Sequence, residues 1–147
     1  MSAQPVELGL IEGYYGRPWT WEDRAATITF LGPRGYGFYL YAPKADPYLR
    51  RKWREPHPEE EVQRLTSLAD TCRKLGVRFG IGLSPTKLHL DFGSEAKGIY
   101  ARKIESLEAL GIEDFALLFD DMRGDVPNLA QLQADIIHWT CDRLKTD

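Results

Sequence analysis

The chain has 147 residues, 43% of them hydrophobic and 28% charged, which is enough apolar material for one domain with a core and an ordinary balance for a globular protein. A formal net charge of −3 argues against nucleic acid as the main partner, and no stretch is long and apolar enough to span a membrane. Three scattered histidines (His57, His89, His138) without ligand spacing exclude an obvious metal site, and nothing in the composition asks for a cofactor.

Residues 1–7 have neither a basic start nor an apolar run, so no signal peptide is expected. Residues 6–11 read as a first strand that breaks at Glu12-Gly13. The loop Gly13-Tyr14-Tyr15-Gly16-Arg17-Pro18-Trp19 is unusually aromatic. Its rings either roof the end of the core or form a wall for a flat, partly apolar ligand such as a sugar. Thr20-Trp21-Glu22-Asp23 resembles a capping box and predicts a helix to about Leu31, ended by Gly32-Pro33 with an unusual φ.

Residues 36–41 form the second predicted strand. Lys44 follows its end directly, whereas Arg50-Arg51-Lys52-Trp53-Arg54 reads as a solvated basic face. Pro58 and three glutamates open a second helix, with Val62, Leu65, Leu68, Ala69, Cys72 and Leu75 on its apolar side and Gly76 beyond its end. Residues 77–83 make the third strand, in which Gly80 and Gly82 allow close packing. Lys87 and His89 follow in a loop and either face a ligand or, the commoner role for such residues, lie on the surface. Ser94 is the expected cap of a third helix that Gly111 ends, and Cys72 and Cys141, each in a predicted helix, read as reduced core thiols, which favours a cytoplasmic setting.

Phe115-Ala116-Leu117-Leu118-Phe119 is short and continuously apolar, the pattern of a strand buried on both faces of a parallel sheet. It stops at Asp120-Asp121. Two adjacent carboxylates at the mouth of a core repel each other and resist burial. They either open a solvated loop or build a site. A last amphipathic helix follows Pro127-Asn128.

Strand and helix thus alternate four times, which predicts an α/β fold with four parallel strands and helices outside. All strand-to-helix loops of such a sheet emerge on one rim. That rim gathers Gly13, Tyr14, Tyr15, Trp19, Lys44, Lys87, Asp120 and Asp121. Aromatic rings, a cation and paired acids converging from separate loops point to a sugar site.

Three stretches carry a resemblance. Ile11-Glu12-Gly13-Tyr14-Tyr15-Gly16-Arg17-Pro18-Trp19-Thr20, Tyr39-Leu40-Tyr41-Ala42-Pro43-Lys44-Ala45-Asp46-Pro47-Tyr48 and Leu118-Phe119-Asp120-Asp121-Met122 resemble glycoside hydrolase family 84. That family contains protein O-GlcNAcases and bacterial β-N-acetylglucosaminidases. The resemblance implies a retaining, substrate-assisted β-N-acetylglucosaminidase acting on glycans or glycoproteins that bear N-acetylglucosamine. Asp120 would accept the acetamido N–H, and Asp121 would be the general acid/base, holding its proton near neutrality. Gly13, through its backbone, and Lys44 match sugar-contacting positions, and Tyr15 matches a wall of the pocket. Ala45 departs from the family, which commonly has a second acid there.

The resemblance also implies a TIM-type (β/α)8 barrel, which takes about 250 residues, so four strand-helix units make a (β/α)4 half of it. Residues 1–147 therefore read as a single domain, the N-terminal half of that barrel, inactive or weak on its own. The first and fourth strands would be unpaired edges. The expected remedy is a homo-oligomer, most simply a dimer, or a C-terminal half of the barrel. The alternative function is a non-catalytic half-barrel module that self-assembles or binds N-acetylated sugars.

Overall fold

The computed structural model describes residues 6–144. Strands and helices alternate as β1 (Leu8–Glu12), α1 (Trp21–Leu31), β2 (Tyr36–Tyr41), α2 (Glu59–Lys74), β3 (Arg78–Leu83), α3 (Ser94–Glu108), β4 (Asp114–Leu117) and α4 (Leu129–Cys141). The four strands lie in sequence order and every neighbouring pair is parallel, so the architecture is a (β/α)4 half barrel, as the alternation and the family resemblance together predict.

The two-residue period of the strands sorts the side chains into two faces. Tyr39, Tyr41, Phe79, Ile81 and Leu83 are buried together with Ile28, Leu65, Leu68, Cys72, Ile104 and Leu107 of the helices. The opposite, inner face carries Ile11, Leu40, Ala42, Gly80, Gly82, Ala116 and Leu118. Its glycines are required by space: a Cβ on Gly80 would stand 2.8 Å from Asp114 Cβ, and one on Gly82 would stand 2.6 Å from Ala42 Cβ.

Glu12 belongs to the helix-facing set yet carries a charge. Arg24 of α1 meets it with Nε–Oε2 at 2.9 Å and Nη2–Oε1 at 2.8 Å, and the Tyr39 hydroxyl donates to the same carboxylate. Arg24 also lies 4.5 Å from the Trp21 ring centroid. A bidentate pair with a third donor is the arrangement in which a buried carboxylate is tolerable. It ties the end of β1, just before Gly13, to α1.

Several details differ from the sequence reading. The Thr20–Asp23 capping box forms in both directions. Gly32, however, is right-handed and opens a short 3-10 turn, and the left-handed residue is Gly35 at φ 82°. Gly93 caps α3, and Ser94 is its first helical residue. Strand β4 begins at Asp114, ends two residues before Phe119 and is only half-buried, because it is the last strand of the sheet and its inner face is open. Cys72 is buried but Cys141 is exposed, since α4 turns that side outward. The basic stretch is not a uniformly solvated face: Trp53 is fully buried and its indole N–H donates to the Thr86 carbonyl at 3.1 Å. Residues 1–5, most of the stretch read as lacking a signal peptide, lie outside the described residues. Among the described residues no helix is long and apolar enough to cross a membrane.

Candidate active site

Continuing the strand period past each C-terminus builds the site. Lys44 stands two residues beyond inner-face Ala42, Ser84 two beyond Gly82, and Asp120 two beyond Leu118. The backbone bond from Leu118 N to Leu83 O, 2.8 Å, extends the β3–β4 pairing past the last strand residue and holds these ends in register. The three side chains meet. Lys44 Nζ lies 2.5 Å and Ser84 Oγ 2.7 Å from Asp120 Oδ2.

Arg50 joins them from the loop after β2. Its Nη1 is 3.2 Å from Asp120 Oδ2 and its Nη2 is 3.3 Å from Asp121 Oδ2. One guanidinium thus spans both acids. Tyr15 completes the near wall, with Lys44 Nζ and Arg50 Cζ each 6.0 Å from its ring centroid. Gly13 sits two residues earlier on the same loop. A Cβ there would meet only Ile11 Cγ2, at 3.5 Å, so protein packing does not demand the glycine and the backbone is left open to approach.

The two acids differ sharply. Burial pushes the Asp120 carboxyl up, but hydrogen bonds from Lys44 and Ser84 and the charges of Lys44 and Arg50 outweigh it and hold the group below the ordinary carboxylate range. An ionised carboxylate is an acceptor only. All three donors fall on Oδ2, so among the described residues Oδ1 is the oxygen left to face a ligand. The side chain of Asp121 is 76% exposed, and its backbone is left-handed at φ 53°, which turns it away from Asp120. Asp tolerates that conformation better than most residues, though at a cost in strain that recurs at functional sites.

A cleft of about 560 Å³ opens beside the pair, bounded by Ser84 and Lys87 on one side and Leu118, Asp121 and Val126 on the other. Lys87 and His89, for which the sequence favours a surface role, both line it. Arg123, part of an Arg-Gly-Asp string, spends its charge on Asp125 within the string itself. The structure therefore links Tyr15, Lys44, Asp120 and Asp121 in one cluster, with Gly13 on the Tyr15 loop. Sequence reasoning missed Ser84 and Arg50. The period-two rule that finds Lys44 and Asp120 finds Ser84 as well. Arg50 had no such signal, because it lies beyond the 3-10 turn Pro47–Leu49 in a stretch whose composition suggests only solvation.

The family described as NAGidase, beta-N-acetylglucosaminidase, matches residues 8–144. The chain belongs to the β-N-acetylglucosaminidase family. The protein O-GlcNAcases of Rattus norvegicus and Mus musculus are each 36% identical over 115 residues, 78% of this chain and 12% of theirs. A mutant of the Thermobaculum terrenum O-GlcNAc hydrolase superposes with a TM-score of 0.86, at 31% identity, over 95% of this chain and 32% of that one. The solved structure of CpGH84B superposes at 0.84, with 32% identity, over 96% of this chain and 25% of that one. The chain thus spans about a third or less of each of these family members while carrying an O-GlcNAcase-like hydrolase fold across nearly its whole length.

Proposed function

We propose that residues 1–147 are the N-terminal half of a (β/α)8 domain and supply the acid pair of a retaining β-N-acetylglucosaminidase of the O-GlcNAcase kind. Its substrates are glycans or glycoproteins bearing N-acetylglucosamine. The acetamido oxygen of the sugar attacks the anomeric carbon. Asp120 accepts the acetamido N–H and stabilises the positive charge that grows on that group. Asp121 gives its proton to the departing glycosidic oxygen, then takes one from the water that opens the oxazoline, with retention overall. Gly13 and Lys44 hold the sugar and Tyr15 walls it.

One observation carries this reading: Lys44, Ser84 and Arg50 all grip the same oxygen of Asp120, which keeps the group ionised and presents its other oxygen as an acceptor. An acid that must arrive protonated needs to be shielded from water. The side chain of Asp121 is 76% exposed. Substrate and the rest of a barrel, from a second copy or a C-terminal half, must supply that shielding. The same exposure favours a second reading, a non-catalytic half barrel that assembles or binds N-acetylated sugar.

A chromogenic N-acetylglucosaminide separates the two. Under the first reading the wild-type chain hydrolyses it slowly, and Asp121→Asn lowers the rate by about a hundredfold or more, the usual scale of lost acid catalysis. Equal rates in the two proteins would remove catalysis by this chain and leave the binding reading, which calorimetry with N-acetylglucosamine then tests.

A further inference from the structure

Lys44 and Arg50 reach Asp120 from a loop whose only regular structure is the turn Pro47–Leu49. Two long cations on an irregular loop lose considerable rotamer freedom when held to one carboxylate, so the loop itself must be fixed. Asp46 lies between them, two residues after Lys44 and four before Arg50. Its Oδ1 accepts the amides of Tyr48 and Leu49 at 2.8 and 3.3 Å. Its Oδ2 accepts the Tyr41 hydroxyl at 3.2 Å and lies 3.2 Å from His57 Nε2. Behind that ring, His57 Nδ1 is 3.4 Å from Lys103 Nζ, which also donates to the Glu55 carbonyl at 3.0 Å.

All three members of this chain are buried, the Asp46 side chain to 7% exposure. A lysine ammonium has only protons to give, so His57 Nδ1 is the acceptor and the ring proton sits on Nε2, donated to Asp46. Burial pushes the Asp46 carboxyl up, yet His57 and the two amides outweigh it and hold it low. The loop is also tied at its far end: the Ser84 amide donates to the Leu49 carbonyl at 2.8 Å, next to Arg50. Four donors therefore converge on one carboxylate, two from its own loop, one from β2 and one from the segment before α2, and Lys103 of α3 backs the last of these.

The geometry points to Asp46 as a positioning residue of the candidate site, held by His57 and through it by Lys103, which sets where Lys44 and Arg50 stand and so how firmly they grip Asp120. Its consequence for hydrolysis rests on the function proposed above; its effect on Asp120 does not. The charged groups around Asp120 are Lys44, Arg50 and Asp121, with Lys87, His89, Arg123 and Asp125 along the adjoining cleft.

The test is a carboxyl-carbon NMR titration of Asp120 in the 147-residue chain. Asp46→Asn raises the Asp120 midpoint by roughly one unit, a tenfold change in proton affinity, because the cations lose their fixed positions. If Asp46 only stabilises the loop, the variant melts earlier but the midpoint stays where it was, and the inference fails. In a Lys44→Met/Arg50→Gln background, Asp46→Asn moves the midpoint no further; additional movement would show a route other than the cations and overturn the inference. Should Asp46→Asn not fold, His57→Gln keeps both amide bonds to Oδ1 and must raise the midpoint in the same direction, and an unmoved midpoint there is equally fatal. No turnover is measured, so an inactive chain leaves this result intact and bears only on the proposed function.

Discussion

Asp120 and Asp121 are adjacent in the chain but sit in opposite surroundings, one gripped by three donors and the other exposed with a single guanidinium at hand. A single left-handed residue makes that difference possible, since in an extended backbone Asp121 would simply point to the other face of the sheet. Lys103, behind the site, shows the reverse economy: a cation placed where water cannot follow. Burial pushes its ammonium down to about 8 from the ordinary 10.5, although the charges of Asp46 and Glu55 pull the other way. The unfolded chain therefore binds this proton more tightly than the folded one. The penalty is full below about pH 8 and is relieved as pH rises toward 10.5, so the contribution of this group to stability increases across that window. Lys103→Met removes the titration. The unfolding free energy of the wild type, measured in urea against this variant, should gain on the variant as pH rises through that range; a pH-independent difference would show that the ammonium pays no desolvation penalty.

At the scale of elements, the site is a product of strand register. Lys44, Ser84 and Asp120 meet because β2, β3 and β4 are in register and close together, and the closeness depends on Gly82. An added methyl there would collide with Ala42 Cβ at 2.6 Å and with Leu118 Cδ1 at 3.0 Å, the residues that directly follow the neighbouring strands β2 and β4. Gly82→Ala should cost about 1–3 kcal/mol in chemical denaturation, the usual range for overpacking, whereas an unchanged midpoint would mean that the strands part freely at this level. Much of this was legible in the sequence. Residues 36–41 gave β2 to the residue, Thr20 and Asp23 gave the start of α1, and the alternation of strand and helix gave the parallel pairing. What escaped did so for physical reasons. α1 ends at Leu31 with Gly32 as its cap, as read, but the left-handed turn falls at Gly35, because a 3-10 turn over Gly32–Arg34 carries the chain on first. Arg50 is placed by Asp46, whose partner His57 lies 11 residues away in sequence and is backed by Lys103, 57 residues from Asp46, beyond the reach of any local pattern.

For the whole molecule, the open question is what covers the sheet. β1 and β4 are both edges, and an edge strand offers unpaired amides and carbonyls to any other chain. Here the hazard is compounded by apolar side chains: Val6 is 87% exposed, Leu8 52% and Ile11 58%, all on or beside β1. Charges blunt the bottom of the sheet in part, because Arg78 bridges Glu7 and Asp114 there, whereas at the upper end of β1 Ile11 is exposed and the neighbouring ion pair, Arg24–Glu12, is buried on the helix side. The isolated chain should therefore self-associate with rising concentration in light scattering, most simply by pairing edges. Ile11→Lys places a charge on the exposed inner face where it opposes no buried group, so it should reduce association while changing stability by no more than about 0.5 kcal/mol, as surface substitutions do. A wild-type chain that stays monomeric at every concentration would show that β1 needs no cover, and that the open inner face is not what calls for a second half.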